Sequence, residues 1–278
     1  MIEFRDVHVS YDAATPVLRG VNLRIEQGEF VAFVGTNGAG KSTTMRLING
    51  LLKPDAGQVT IDGVPTGELA TSQLARRVGF LFQNPDNQIC CSTVGEELLF
   101  GLRALGVDEA EAHKRVARIV ARFGFDANAD PFLLNRGTRQ LLALASIVVL
   151  GVPVIVLDEP TTGLDYRECT QVMDLIAQLH ADGTTVVMVC HDMEIVADYA
   201  HRVVVMHEGR VIDDGPTFDV LRNPATLAQA SLLPSQIVQL SLELAARHAE
   251  LAGSPVAAAN DLDQMVHACL AQLGGADG

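Results

Sequence analysis

This 278-residue sequence predicts an α/β fold built around a phosphate-binding loop, on three observations. Gly35-Thr36-Asn37-Gly38-Ala39-Gly40-Lys41-Ser42 reads G-x-x-x-x-G-K-S, the pattern whose backbone N–H groups cradle phosphates. The loop lies between an apolar run at 29–34 and a stretch in which Met45, Ile48 and Leu51/Leu52 recur at helical spacing. Downstream, 154–157 and 184–189 are runs of aliphatic and β-branched residues, as in parallel strands buried on both faces. They lead into Asp158-Glu159 and His191-Asp192.

Taken in order, Ile2, Phe4, Val7 and Val9, then Val21, Leu23 and Ile25, alternate like β-hairpins, with turns at 12–16 and 27–29. Tyr11 falls in the first turn region, where it serves either packing or stacking on a purine face. Lys53-Pro54-Asp55-Ala56-Gly57 ends the helix after the loop, and Val59-Thr60-Ile61 with Asp62-Gly63 reads as strand and turn. Residues 78–82 form a short buried strand that delivers Gln83, and 84–87 form a loop. From Thr93 to about Phe123 the pattern is helical, with Glu97, Arg103, Glu109, Glu111, Lys114 and Arg115 on solvated faces.

The stretch 141–157 is uncharged but is interrupted by Gly151 and Pro153. It reads as a buried helix ending near Leu150 and then a central parallel strand at 154–157, not a membrane span. Gly163-Leu164-Asp165 is a turn, and 166–179 an amphipathic helix closed by Asp182-Gly183. A buried strand at 184–189 and a hairpin at 203–206 and 210–212 follow. From about 226 onward the chain is Ala- and Leu-rich helix, broken at Gly253-Ser254-Pro255, with Asn260 placed to cap the last helix.

A net charge of −14 argues against a nucleic-acid partner held by a basic face. Cys90, Cys91, Cys169, Cys190 and Cys269 show no C-x-x-C spacing, so a reduced thiol set is expected. The first residues lack the basic and apolar regions of a signal peptide.

The chemistry follows from the residue types. Glycines let backbone N–H groups face phosphate oxygens, and the helix N-terminus adds its positive dipole end. Lys41 is expected to reach the β- and γ-phosphates and the Ser42 hydroxyl to bind Mg²⁺. Asp158, ending a buried strand, can hold that ion opposite Ser42, while Glu159 can polarise an attacking water. Ligand contacts in a parallel sheet cluster at strand carboxyl ends, so Gln83, Asp158 and His191 are expected to converge near Lys41.

Tyr11, the 35–42 loop, Gln83, the 154–159 run, the Gly163-Leu164-Asp165 turn and His191 occur in the order of an ABC-transporter ATPase subunit, which residues 1 to about 225 resemble. The resemblance implies a P-loop NTPase (RecA-like) core with an antiparallel β subdomain. A helical subdomain would be inserted at about 86–150, and two such chains would sandwich two ATP molecules. It makes Tyr11 the adenine-stacking residue and Gly35, Asn37, Gly38, Gly40, Lys41, Ser42 and Thr43 the ATP-holding loop. Ser42, Gln83 and Asp158 would serve Mg²⁺, with Gln83 also signalling to the membrane partner. Glu159 would be the catalytic carboxylate, His191 would contact the γ-phosphate, and Asp165 would lie at the dimer seam. Residues 82–88, Thr93-Val94-Gly95-Glu96-Glu97 and the extension at 226–278, with Pro234-Ser235-Gln236-Ile237 near its start, resemble the energy-coupling-factor group of vitamin and metal-ion importers. In that group the extension assists dimer contact. The resemblance places the chain peripherally on the cytoplasmic face of the membrane, bound to integral membrane subunits.

One motif departs from the family. Where the signature L-S-G-G-Q belongs, this chain has Leu134-Asn135-Arg136-Gly137-Thr138, and Leu141 stands where an arginine is usual. Asn135 retains a donor, whereas Arg136 adds bulk where close approach to phosphate is wanted. The motif completes the partner's ATP, not this chain's own. The expectation is a heterodimer with one competent site on this chain and one degenerate site on its partner, favoured over a homodimer that carries the altered motif at both sites; the other reading is that the altered motif still works. The alternatives are an ATP-binding regulatory subunit with little turnover, and the ATPase of another ABC importer.

Overall fold

Ile2 and Phe4, then Val7 and Val9, are buried; each pair keeps the period of two of a strand, and the irregularity between Phe4 and Val7, where Asp6 has φ +46°, brings the two pairs to the same side. The computed structural model describes residues 1–11 and 15–274. In chain order its elements begin with β1 (Ile2–Ser10), β2 (Pro16–Ile25), β3 (Phe30–Val34) and α1 (Lys41–Ile48). Then come β4 (Ala56–Ile61), β5 (Val64–Pro65), α2 (Thr71–Leu74), β6 (Val78–Leu81), α3 (Val94–Ala104), α4 (Glu109–Phe123) and α5 (Arg136–Val148). The rest are β7 (Val154–Asp158), α6 (Tyr166–Ala181), β8 (Thr185–Val189), α7 (Met193–Tyr199), β9 (Arg202–His207), β10 (Arg210–Pro216), α8 (Thr217–Leu221) and α9 (Pro224–Gln229), and finally α10 (Gln236–Arg247), α11 (Pro255–Ala258) and α12 (Leu262–Gly274).

The strands form two sheets. An antiparallel sheet has the order β2-β1-β4-β5, and a second, mostly parallel sheet has the order β10-β9-β3-β8-β7-β6. In the second, Phe33 pairs with Val189 of β8 and with Val204 of β9. The middle pair is β3 and β8, and β7 lies one place nearer the β6 edge. Strands β3, β7 and β8 are buried at every residue, which explains their unbroken apolar runs. Helices pack on this sheet, and a separate apolar cluster joins α3, α4 and α5 through Leu98, Leu102, Ala112, Val116, Leu142 and Ala145. A smaller cluster, with Val256, Met265 and Ala268, packs the carboxyl-terminal helices on one another.

Several expectations need correction. The helical pattern of 93–123 is two helices: Gly106 at φ +73° breaks it, and Asp108 caps the second. Glu97 is not on a solvated face; it is 4% exposed. Helix α1 ends at Ile48, and Leu51 is exposed, because Gly50 takes a left-handed φ. The last helix is capped by Asp261, whose Oδ1 accepts from the Gln264 amide at 2.8 Å, and not by Asn260. Ala56 and Gly57 belong to a strand. The turn expected at 12–16 falls mainly on residues 12–14, outside the described residues. Residues 141–157 divide between α5 and β7, and among the described residues no helix is long and apolar enough to cross a membrane.

Candidate functional site

The site is built where β3 hands the chain to α1. Gly35 has φ +141°, and a Cβ there would stand 2.1 Å from the Met206 carbonyl oxygen; β9 leaves room for glycine alone. Lys41 opens α1 and is buried. Its Nζ donates to the carbonyls of Gly35 at 2.7 Å and Thr36 at 3.0 Å. Burial pushes the Lys41 ammonium below the ordinary lysine range, opposed by the charges of Glu159 and Asp158. Ser42 Oγ donates to Asp158 Oδ1 at 3.1 Å. Asp158 is 8% exposed, and burial pushes its carboxyl up, the Ser42 hydrogen bond opposing. The Tyr11 hydroxyl shares a 3.2 Å hydrogen bond with Thr43 Oγ1, and Tyr11 itself stays 58% exposed.

Glu159 is the hub. Its backbone is left-handed, φ +53°, a conformation that non-glycine residues hold only when their surroundings fix it. Its amide donates to the Val189 carbonyl at 3.1 Å. Its Oε2 accepts from Gln83 Nε2 at 2.7 Å and from Thr162 Oγ1 at 2.9 Å, and its Oε1 lies 2.7 Å from His191 Nε2. The segments that follow β6, β7 and β8 thus meet at one carboxylate, as strand carboxyl ends in a parallel sheet do. Tyr11, Val17, Asn37, Gly38, Gly40, Lys41, Ser42, Thr43, Glu159 and His191 line a cleft of about 300 Å³. Gln83 and Asp158 stand behind this lining, against Glu159 and Ser42.

Thr162 and Val17 also belong to the site, though neither stands in a motif. The only signal for Thr162 is its place in the turn after Glu159, where a hydroxyl can reach back to the carboxylate. The altered motif opens α5. Asn135 Oδ1 accepts from the Thr138 amide at 2.8 Å, so its side chain caps this chain's own helix. Arg136 Nη2 donates to the Thr162 carbonyl at 3.1 Å, so its guanidinium folds onto the turn that holds Glu159. Gly137 is tightly packed: a Cβ there would meet Glu168 Oε1 at 1.9 Å. Glu168 is itself held by Asp165, the N-cap of α6.

The donor set suits a hard divalent cation. A buried carboxylate faces a hydroxyl oxygen 3.1 Å away, and oxygen ligands of this kind are those magnesium takes. Ser42 and Asp158 would hold it at the edge of the phosphate loop.

A phosphate loop after a central parallel strand, with two carboxylates ending the strand two places away, defines a P-loop nucleotide-binding protein. The sequence matches the ABC transporter family over residues 18–162, and the chain belongs to that family of ATPases. It is 38% identical over 279 aligned residues to the energy-coupling factor transporter ATP-binding protein EcfA of Methanothermobacter thermautotrophicus, covering 99% of this chain and 88% of that one. Among solved structures, CbiO1 of Clostridium perfringens, part of the ABC transporter complex CbiONQ, aligns with a TM-score of 0.74 at 30% identity, over 90% of this chain and 96% of that one. A dimeric ATP-binding cassette in a post-hydrolysis state, bound to ADP and phosphate, aligns with a TM-score of 0.71 at 30% identity, over 78% of this chain and 99% of the other. Against three other curated relatives the chain spans only 43%, 37% and 39% of their length.

Proposed function

We propose that this chain binds ATP with Mg²⁺ and hydrolyses it as the ATPase subunit of an importer of the energy-coupling-factor type, for a vitamin or a metal ion. The observation that carries the reading is the Glu159 carboxylate, held by Gln83, Thr162 and His191 at the mouth of a phosphate-loop cleft. Similarity to EcfA and to CbiO1 favours the importer class.

In this mechanism the 35–43 loop holds the phosphates through its amides, and Lys41 turns from the Gly35 and Thr36 carbonyls to the β- and γ-phosphates. Tyr11, at the cleft mouth, stacks on adenine. Ser42 and Asp158, with the amide oxygen of Gln83, would hold Mg²⁺, which would supply positive charge against the phosphates. Glu159 takes the proton of the attacking water. His191 fixes one carboxylate oxygen and reaches the γ-phosphate, and Thr162 and Gln83 fix the other oxygen, leaving the base a single orientation.

The chain divides in this reading into an ATPase domain at 1–225, with a helical subdomain at about 86–150, and an extension at 226–278. The separate apolar clusters of α3–α5 and of the last helices support that division. The assembly is two ATPase chains, this one and a different partner, on the cytoplasmic face of a membrane beside integral subunits, with no nucleic acid involved. The heterodimer reading rests on the altered motif at 134–138, where Arg136 stands in place of a small residue and its guanidinium folds onto the Thr162 carbonyl of its own chain. Asp165 lies at the seam between the chains.

Glu159→Gln tests the reading. ATP turnover of the assembled transporter is expected to fall about 10²- to 10⁴-fold while ATP binding persists; unchanged turnover overturns it. Light scattering of the same variant with MgATP separates the assemblies. A monomer that binds ATP supports a different partner chain, and dimers of this chain alone overturn that part.

A further inference from the structure

Between Gln83 and α3 the chain carries a cluster that the nucleotide site does not use. Cys90 Sγ and Cys91 Sγ lie 4.0 Å apart, and these atoms and a carboxylate oxygen of Glu97 all lie within 4.8 Å of one another. Glu97 is 4% exposed, and its Oε2 accepts the backbone amides of Cys90 and Cys91, each at 2.9 Å. Those two bonds fold the loop back over the first turn of α3. They bring two consecutive thiols beside one buried carboxylate.

Two thiols and a carboxylate are donors suited to zinc, which takes Cys sulfur and Asp or Glu oxygen in tetrahedral geometry. Two sulfurs bonded to one tetrahedral zinc at ~2.3 Å lie about 3.8 Å apart, so the observed sulfur spacing is already close to that of a shared metal. The thiols also border a cavity of about 600 Å³, lined with Ser92, Glu96 and Arg103, which leaves space for a water as fourth ligand. We propose that Cys90, Cys91 and Glu97 form a binding site for one divalent cation of the zinc class. Binding forms two metal–sulfur bonds and one metal–oxygen bond and releases the two thiol protons to solvent, so affinity falls as pH falls. The site fastens the loop after Gln83 to α3, the helix that carries exposed Phe100.

The test uses the untagged, reduced full-length chain with Co²⁺ alone as a spectroscopic probe, followed by Zn²⁺ in competition with a chromogenic chelator. One equivalent of Co²⁺ is expected to give a thiolate-to-cobalt charge-transfer band that Zn²⁺ abolishes. Cys90→Ser and Cys91→Ser are each expected to weaken the band and to lower Zn²⁺ affinity by about tenfold or more, and the double variant to lose the band. Cys269→Ser, on α12, is expected to leave it intact. Retained binding of a fluorescent ATP analogue reports that each variant is folded. Absence of the band at one equivalent in the parent chain, or its survival in the double serine variant, overturns the proposal.

Discussion

At the residue scale the proposed chemistry rests on how Glu159 is held. Its left-handed backbone and its partners Gln83, Thr162 and His191 point the carboxylate into the cleft. Thr162→Val keeps the shape of the side chain and removes the hydrogen bond to Oε2. It is expected to lower kcat roughly tenfold, the lower range for a disturbed general base, with ATP affinity unchanged; steady-state turnover beside nucleotide titration checks this. Gly35→Ala is expected to destabilise the protein by about 2 kcal/mol or more, because the new Cβ meets the Met206 carbonyl and φ is +141°. Urea unfolding measures it. The glycines, Lys41, Ser42, Asp158 and Glu159 were legible in the sequence because each belongs to a short motif with fixed spacing. Thr162 was not, because a threonine in a turn carries no signal until the carboxylate beside it is placed.

At the element scale, the N-termini of α5 and α6 are locked together. Asn135 caps α5, Asp165 and Glu168 form the capping box of α6, and Gly137 fits under the Glu168 side chain. Gly137→Ala forces Glu168 aside and opens the box. The lost box costs about 1 kcal/mol and the helix propensity of alanine offsets about as much, so the net change is expected to stay below about 1 kcal/mol, against a loss of about 1 kcal/mol for Asn135→Ala, with thermal unfolding as the measurement. The departure of 134–138 from the family signature was visible in the sequence. The path of Arg136 to Thr162 was not, since nothing local says which way a long side chain turns. The same holds for Glu97: on a helix with other charges it reads as solvated, yet two loop amides claim it.

At the scale of the whole molecule, one side chain ties the carboxyl-terminal helices to the core. Arg222, following α8, donates to the Ala259 carbonyl at 3.1 Å, to Asn260 Oδ1 at 2.9 Å and to Ser241 Oγ at 3.0 Å, and also bonds the Ala257 carbonyl. Hydrogen bonds from a charged donor contribute about 1.5–3 kcal/mol. Arg222→Ala is therefore expected to release α10–α12, seen as faster proteolysis or amide exchange across 236–272, while ATP binding is kept. Acidic groups cross the same junction. Burial, then the charges of Glu194, Asp192 and Asp261, push the Asp198 carboxyl above its ordinary range. Its folded value exceeds its unfolded one, so its contribution is full below the ordinary aspartate range and is lost as pH rises through the folded value. Asp198→Asn is expected to flatten the stability–pH profile just above that range and to stabilise the chain slightly at neutral pH. Asp198 is largely solvent-facing, so the change stays within about 0.5 kcal/mol, read by urea midpoints across pH.

The sequence by itself determined the strand–loop–helix of the phosphate site, the buried strand ending in Asp158 and Glu159, and the family. Spacing and residue type act over a few residues, and those features are encoded at that range. Only the tertiary structure decided the order β10-β9-β3-β8-β7-β6, the meeting of Gln83, Thr162 and His191 on one carboxylate, the turn of Arg136 onto its own chain and the Cys90–Cys91–Glu97 cluster. Each joins groups whose neighbours are chosen by packing of the whole chain, and a hydrogen bond between residues 83 and 159 exists only once two parallel strands lie side by side.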